Sequence, residues 1–430
     1  YQVTSTTDDL NVVGVEKSSF VAGLFALGQA SGTYSPPGVD SQADLTSWFA
    51  AIGQGDPPNS MDSYITDQIA RYHSAYYLLA GAYGYAKEAP PPLLIANGFT
   101  DDLFPVDEAL RYYNLEHSLY PSDPISLFDG DFGHMRAQNK PGDEKLLADH
   151  IQVFFDHYLK GQGAEPASSF TAFTETCPSS AASGGPFSSP TWAGLHPGVV
   201  VEDSAPPGRS ATQTISSSGG DPSVGQAFDP VAGPGACATA PSRPEPGTAT
   251  YDFPAATGNG FTLLGSPTVT ASLQTTGGFP QIAARLLDVD PAAGTETLVA
   301  RGLFRLDPNH LDSAQFQLHP GAWHFAAGHV PRLELLGQDS PYGRANNEPF
   351  AITVTTVELD LPVHERPGAP GVPDAVQPPR LPVPCSNRPH SRIGSARGSG
   401  HGLTVTGRAG EAPCAHATAS VLAHQRITRV

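Results

Sequence analysis

Between residues 91 and 163 short apolar runs alternate with helix-like segments, and that order leaves few folds open. "PPPLLIANGF" is bounded by prolines and a glycine, which reads as a buried strand, although its period alone does not separate it from a buried helical segment. "FPVDEALRYYNLE" follows as a helix with acidic residues in its first turn, where they complement the helix dipole. "DPISLFDGDFGH" then reads as a second strand and a loop. "PGDEKLLADHIQVFFDHYLKG" is an amphipathic helix, with Leu147, Ile151, Phe154, Phe155 and Tyr158 on one stripe and Gly161 as its stop. Strand–helix–strand–helix implies a parallel sheet with crossover connections.

The flanks read differently. Residues 1–90 are mostly helical in pattern, in "SQADLTSWFAAIG" and "SMDSYITDQIARYHSAYYLLAGAYGYA". Tyr72, His73, Tyr76 and Tyr77 either pack a helical core or line a pocket. Residues 164–250, rich in Ser, Pro, Gly and Ala, predict a long connection or irregular outer strands. From Ala249 to Val363 the period becomes two, with Val269, Ala271 and Leu273 alternating in "PTVTASLQT", and an antiparallel β-sandwich is expected. The chain's 45 Gly and 43 Pro fit turn-rich β structure. The expected fold class is therefore α/β plus all-β. A Pro-rich linker at 366–384 leads to residues 385–430, which read as the start of a truncated small β domain. That last segment carries six arginines against Glu411 alone, whereas all five lysines lie within the first 160 residues.

A formal charge of −19 argues against a nucleic-acid partner, because phosphate binding needs clustered Lys and Arg. No apolar run is long enough for a transmembrane helix, so no membrane partner is expected. No signal peptide is visible, and the chain opens at Tyr1 in the manner of a fragment whose start lies upstream. Cys177, Cys237, Cys385 and Cys414 lie in no metal-like spacing. Chain order suggests the pairs Cys177–Cys237 and Cys385–Cys414, which would favour a secreted, oxidising location. No metal or phosphate-loop motif occurs, and no cofactor is expected.

The chemistry concentrates in two turns. In "NGFTDDLFP", Asp101 follows a glycine that ends a strand, where catalytic groups of parallel sheets are commonly placed. An Asp there can accept the Nδ1–H of a histidine and stabilise the imidazolium formed during proton transfer. "DGDFGH" places His134 just after the next strand. Asp then His, one strand–helix–strand unit apart, is the order of α/β-hydrolases, in which the nucleophile precedes both. A Gly-x-x-Asp-Asp turn can also cap the following helix; Asp101 is expected to be the acid and Asp102 the cap.

Gly-x-Ser-x-Gly, the strained turn that presents such a nucleophile, occurs nowhere in the chain. Ser31 in "GQASGT" has Gln29 and Thr33 where small residues are needed, and Ser18 and Ser19 fail likewise. The nucleophile is expected to be absent, and without it neither Asp101 nor His134 can form an acyl-enzyme.

On these residues the chain resembles the Xaa-Pro dipeptidyl-peptidase and cocaine-esterase family of serine hydrolases. "NGFTDDLFP" is similar to that family's acid turn and "DGDFGH" to its histidine turn. "TLLGSPTVTASLQTT", "FQLHPGAWHFAAGHVPRLELLGQDSPY" and "FAITVTTVELDLPV" are similar to its jelly-roll domain. The resemblance implies a C-terminal part of an α/β-hydrolase domain at 1–163, with cap helices at about 40–90, and a jelly-roll β-sandwich at 164–365. It implies acyl transfer to water from a small peptide or ester, with Asp101 as acid and His134 as base. A different expectation is a carbohydrate- or ligand-binding jelly-roll protein with a vestigial hydrolase part.

Overall fold

The structure, a computed structural model, describes residues 15–32, 44–71, 89–204, 212–307, 311–372, 391–399 and 402–409. Helices α1 (Ser18–Ser31), α2 (Leu45–Ile52) and α3 (Ser60–Arg71) come first. The α/β region follows as β1 (Leu93–Gly98), α4 (Val106–Leu119), β2 (Ile125–Gly130), α5 (Pro141–Tyr158), β3 (Phe170–Thr174) and β4 (Gly184–Ser189). Its sheet has the order β1-β2-β3-β4; β1, β2 and β3 run parallel and β4 antiparallel.

Segments 170–174 and 184–189, within the stretch expected to be a connection or irregular outer strands, extend this sheet, with β4 at its outer edge. "FTAFT" is buried along its whole length, the mark of an inner strand covered on both faces. Val106, Ala109 and Leu110 of α4 pack on Leu127, Phe170 and Ala172 from one side. On the other side, α5 sets His150 edge-on against Phe128. The helical period expected for α5 is present, but the expected stripe does not mark a buried face: Ile151 and Phe155 lie exposed.

After α6 (Trp192–Leu195), β5 (Gly198–Asp203), β6 (Gln213–Ser216), α7 (Pro222–Ala227) and β7 (Thr239–Pro241), the chain builds the sandwich. It continues through β8 (Ala249–Asp252), β9 (Phe261–Gly265), β10 (Thr268–Gly277), β11 (Gln281–Asp290) and β12 (Thr295–Arg305). β13 (Ser313–Gln317), β14 (Gly321–Phe325), β15 (Val330–Leu336) and β16 (Phe350–Val363) complete it. One sheet runs β13-β10-β16-β9-β14, with β5 and β6 also on β16; the other runs β7-β12-β11-β15-β8. Val269, Ala271 and Leu273 face the common core with Ile352, Val354, Leu333 and Leu335, as the period-two pattern predicts.

β11 is buried from Gln281 to Val289 because both its faces are covered. The inner face meets the opposite sheet, and the outer face is covered in part by the N-terminal helical segment. There Val15 and Phe20 pack on Ala283, Leu303, Leu336 and Tyr342. Arg344 adds ion pairs to Glu16 and Asp62. The described helices of the expected cap are thus tied to the sandwich. Tyr72, His73, Tyr76 and Tyr77 lie outside the described residues, as do Cys385 and Cys414. From the expected third β unit only the hairpin β17 (Ser391–Ser399) and β18 (Gly402–Ala409) is described.

Candidate active site

The parallel register Gly98↔Gly130 brings the two strand ends, and the turns that follow them, side by side. Glycine is needed there. A Cβ on Gly98 would sit 1.5 Å from the Phe132 carbonyl oxygen. Gly133, at φ +139°, adopts a backbone shape that L side chains rarely take, and a Cβ on it would fall 2.7 Å from that of Asp101.

Across this contact the structure brings Asp101 and His134 together, with Oδ2 of Asp101 2.7 Å from Nδ1 of His134. The same oxygen accepts the His134 backbone N–H at 3.2 Å. The other carboxylate oxygen accepts the Leu103 and Phe104 amides at 3.0 and 2.9 Å. Asp101 is thereby fixed as an acceptor at both oxygens, buried under an imidazole that is 53% exposed. Phe104 lies edge-on to that ring at 5.3 Å. Nε2 of His134 has no hydrogen-bond partner among the described residues. A half-exposed imidazole oriented through Nδ1 can take up and release a proton at Nε2.

Asp102 is not the helix cap that was expected. The α4 N-cap position is Pro105, which has no side-chain cap, and the Asp102 carboxylate turns instead to Arg136. Burial works against its charge, but the Arg136 and Arg301 guanidiniums prevail and hold its carboxyl below the usual range. The Asp102 carbonyl accepts Nζ of Lys17 at 2.7 Å, and burial lowers the pKa of that lysine. Arg136 and Lys17 escaped the sequence reading. The cue lay in the pairing of Asp101-Asp102 with His134-x-Arg136, two carboxylates facing two basic side chains.

The histidine turn is tied down behind His134. Gln138 donates to Asp131 and to the Thr176 carbonyl, and Lys140 bonds Thr176 and Ala181. Cys177 and Cys237 form a disulfide beside these contacts. Glu175, next to this cluster, is pushed up to about 8 by burial, despite Arg136 nearby.

The serines weighed as nucleophiles stand elsewhere. Ser18 starts α1 and Ser31 ends it, so neither occupies a strand-to-helix turn. No metal-ligand cluster occurs among the described residues, and no described helix is long and apolar enough to cross a membrane.

A parallel strand–helix sheet presenting an Asp–His pair, docked on an antiparallel sandwich, defines the architecture. Residues 206–370 match the family model of the X-Pro dipeptidyl-peptidase C-terminal non-catalytic domain. Among solved structures, the chain is similar to an aminopeptidase from a marine sediment Thaumarchaeota archaeon. They share 13% identity and a TM-score of 0.49, over 80% of this chain and 64% of that one. An α-amino acid ester hydrolase matches at 14% identity and TM-score 0.49, over 84% of this chain and 65% of that one. A CocE/NonD family hydrolase from Staphylococcus aureus matches at 12% identity and TM-score 0.44, over 74% and 63% respectively. The chain thus spans a little under two thirds of the length of each. No curated protein matches it.

Proposed function

We propose that this chain supplies the acid and the base of a serine hydrolase that cleaves a small peptide or ester through an acyl-enzyme. The observation that carries the reading is the 2.7 Å contact from Asp101 to Nδ1 of His134, at adjoining ends of two parallel strands. In this reading His134 Nε2 takes the proton of a serine hydroxyl as its oxygen attacks the substrate carbonyl. The imidazolium, held by Asp101, then gives that proton to the departing amine or alkoxide. Water, activated by the same nitrogen, releases the acyl group and regenerates the serine.

The serine comes from outside these 430 residues, since no Gly-x-Ser-x-Gly occurs in them. Among the described residues β1 pairs only with β2, so the sheet has an open parallel edge beside the two turns, where further strands would join. Residues 1–163 are then the C-terminal part of an α/β-hydrolase domain whose sheet continues through β4, and the sandwich is a jelly-roll. The Cys177–Cys237 disulfide supports a secreted location. The test is hydrolysis of p-nitrophenyl esters and Ala-Pro-p-nitroanilide. The chain alone should cleave neither, and the chain joined to its serine-bearing strands should cleave one. Equal turnover in both forms rejects the reading.

A further inference from the structure

We propose that Arg136 is a positioning residue: clamped to Asp102, it holds the acid turn and the histidine turn at the separation the Asp101–His134 pair requires. The proposal rests on the hydrolase reading above. Besides a hydrogen bond from Thr100 Oγ1 to Asp131 Oδ1 at 3.3 Å, two contacts cross between the turns side by side. One is Asp101 with His134. In the other, Nε of Arg136 donates to Oδ2 of Asp102 at 2.8 Å and Nη2 to Oδ1 at 3.3 Å. A two-point guanidinium–carboxylate contact fixes orientation as well as distance. The clamp lies two residues beyond His134 on one turn and one beyond Asp101 on the other. A small shift in it therefore moves both members of the pair.

The two contacts differ in their exposure. The imidazole of His134 is half exposed, so water competes for its bond to Asp101. Asp102 and Arg136 are each only 4% exposed, and water is excluded from theirs. Each is also held from behind. The Ala236 N–H, beside the Cys177–Cys237 disulfide, donates to the Arg136 carbonyl at 3.1 Å. Arg301 of β12 approaches the Asp102 carboxylate at 4.0 Å, and Lys17 binds its carbonyl. Burying an ion pair is a poor route to stability, because well-packed apolar side chains of similar volume often do as well or better. What the pair adds here is register between two loops that share no backbone ladder beyond Gly98 and Gly130.

The test uses the Nδ1–H proton of His134, whose low-field resonance is protected from exchange only while Asp101 holds it. In the wild-type chain the resonance should be present, and it should vanish in Asp101→Asn and His134→Ala. In Arg136→Gln it should vanish or exchange rapidly, and Arg136→Lys should restore it in part. Arg136→Gln leaves Asp102 buried and under-compensated and can unfold the region, so the double variant Asp102→Leu/Arg136→Met removes both charges together. That variant should keep the far-UV circular dichroism and thermal midpoint of the wild type yet lose the protected proton. In the serine-bearing protein it should lower kcat on the order of 100-fold with KM nearly unchanged, as misplacement of a reacting group does. A protected proton and full kcat in the folded double variant overturn the clamp and leave the hydrolase reading standing. No protected proton in the wild type overturns the clamp as well, since it would then hold nothing in place. Full turnover of His134→Ala in the serine-bearing protein sinks the hydrolase reading itself.

Discussion

The sandwich and the α/β sheet treat their apolar surface in opposite ways. β11 of the sandwich is buried over nine consecutive residues, Gln281 to Val289, with a sheet on one face and helical segments on the other. Along β1 of the α/β sheet only Gly98 is fully buried, although "LLIA" is as apolar as any sandwich strand. The neighbouring helix α5 leaves Ile151, Val153 and Phe155 exposed, as is Leu159 just past its end. Among the described residues β1 has a partner on one side alone, and an open edge flanked by uncovered aliphatic side chains is a surface that other strands and helices ordinarily cover. The half of the molecule that carries the Asp–His pair is thus the half whose packing is open, and the closed half serves as its support.

The largest expected effect separates the halves by chemistry. In the serine-bearing protein, His134→Ala or Asp101→Asn should cut kcat by about 10,000-fold, the scale of losing a triad member. His329→Ala, on the sandwich, should leave it unchanged. His329 makes a similar contact to Asp288 but lies far along the chain from both turns, so matched losses in steady-state assays would break the distinction.

Next comes the strap between them. Cys177→Ser with Cys237→Ser removes a bridge spanning a sequence separation of 60 residues, expected to cost about 4 kcal/mol in denaturant unfolding. An unchanged midpoint would show that the bridge constrains nothing the fold relies on.

Packing gives a smaller and more direct contrast. Leu333→Ala empties a fully buried site between the sandwich sheets and should cost about 2–5 kcal/mol. Val153→Ala on the exposed face of α5 should stay within about 0.5 kcal/mol in this chain. Equal costs would mean that α5 is covered after all.

The last contrast is in pH dependence, and it comes from the α/β side. Burial lifts Glu175 from an ordinary value of 4.5 to about 8, so between those values the folded chain keeps a proton that the unfolded chain has released. Its contribution is full below pH 4.5 and is lost as pH rises through about 8, for a total on the order of a few kcal/mol. Glu175→Gln should flatten that fall in urea titrations at successive pH values, whereas an identical slope would show Glu175 to be ionised in the fold. Asp129, raised well above its ordinary value by burial alone, acts with the same sign.

The sequence made some of this legible and hid the rest for physical reasons. The strand–helix–strand order around Asp101 and His134 could be read because period and turn residues are local properties. The same holds for Val269, Ala271 and Leu273. The roles of Asp101 and Asp102 were harder to divide. Both fit a cap, and the partner of Asp102, Arg136, stands 34 residues away and meets it only once the strands pair. Strands β3 and β4 lie in a stretch whose Ser, Pro, Gly and Ala read as a connection or irregular outer strands, and the full burial of β3 comes from the neighbours that cover it. The period of α5 gave the helix but not its buried face, which depends on what packs there.

The most direct test of the acid–base reading is covalent labelling with a fluorophosphonate, an electrophile that reacts with a serine activated by a neighbouring base. In the protein joining this chain to its serine-bearing strands, mass spectrometry should find a single labelled serine outside residues 1–430, and His134→Ala should abolish the label. A label on a serine within these residues, or one that survives loss of His134, would contradict the account.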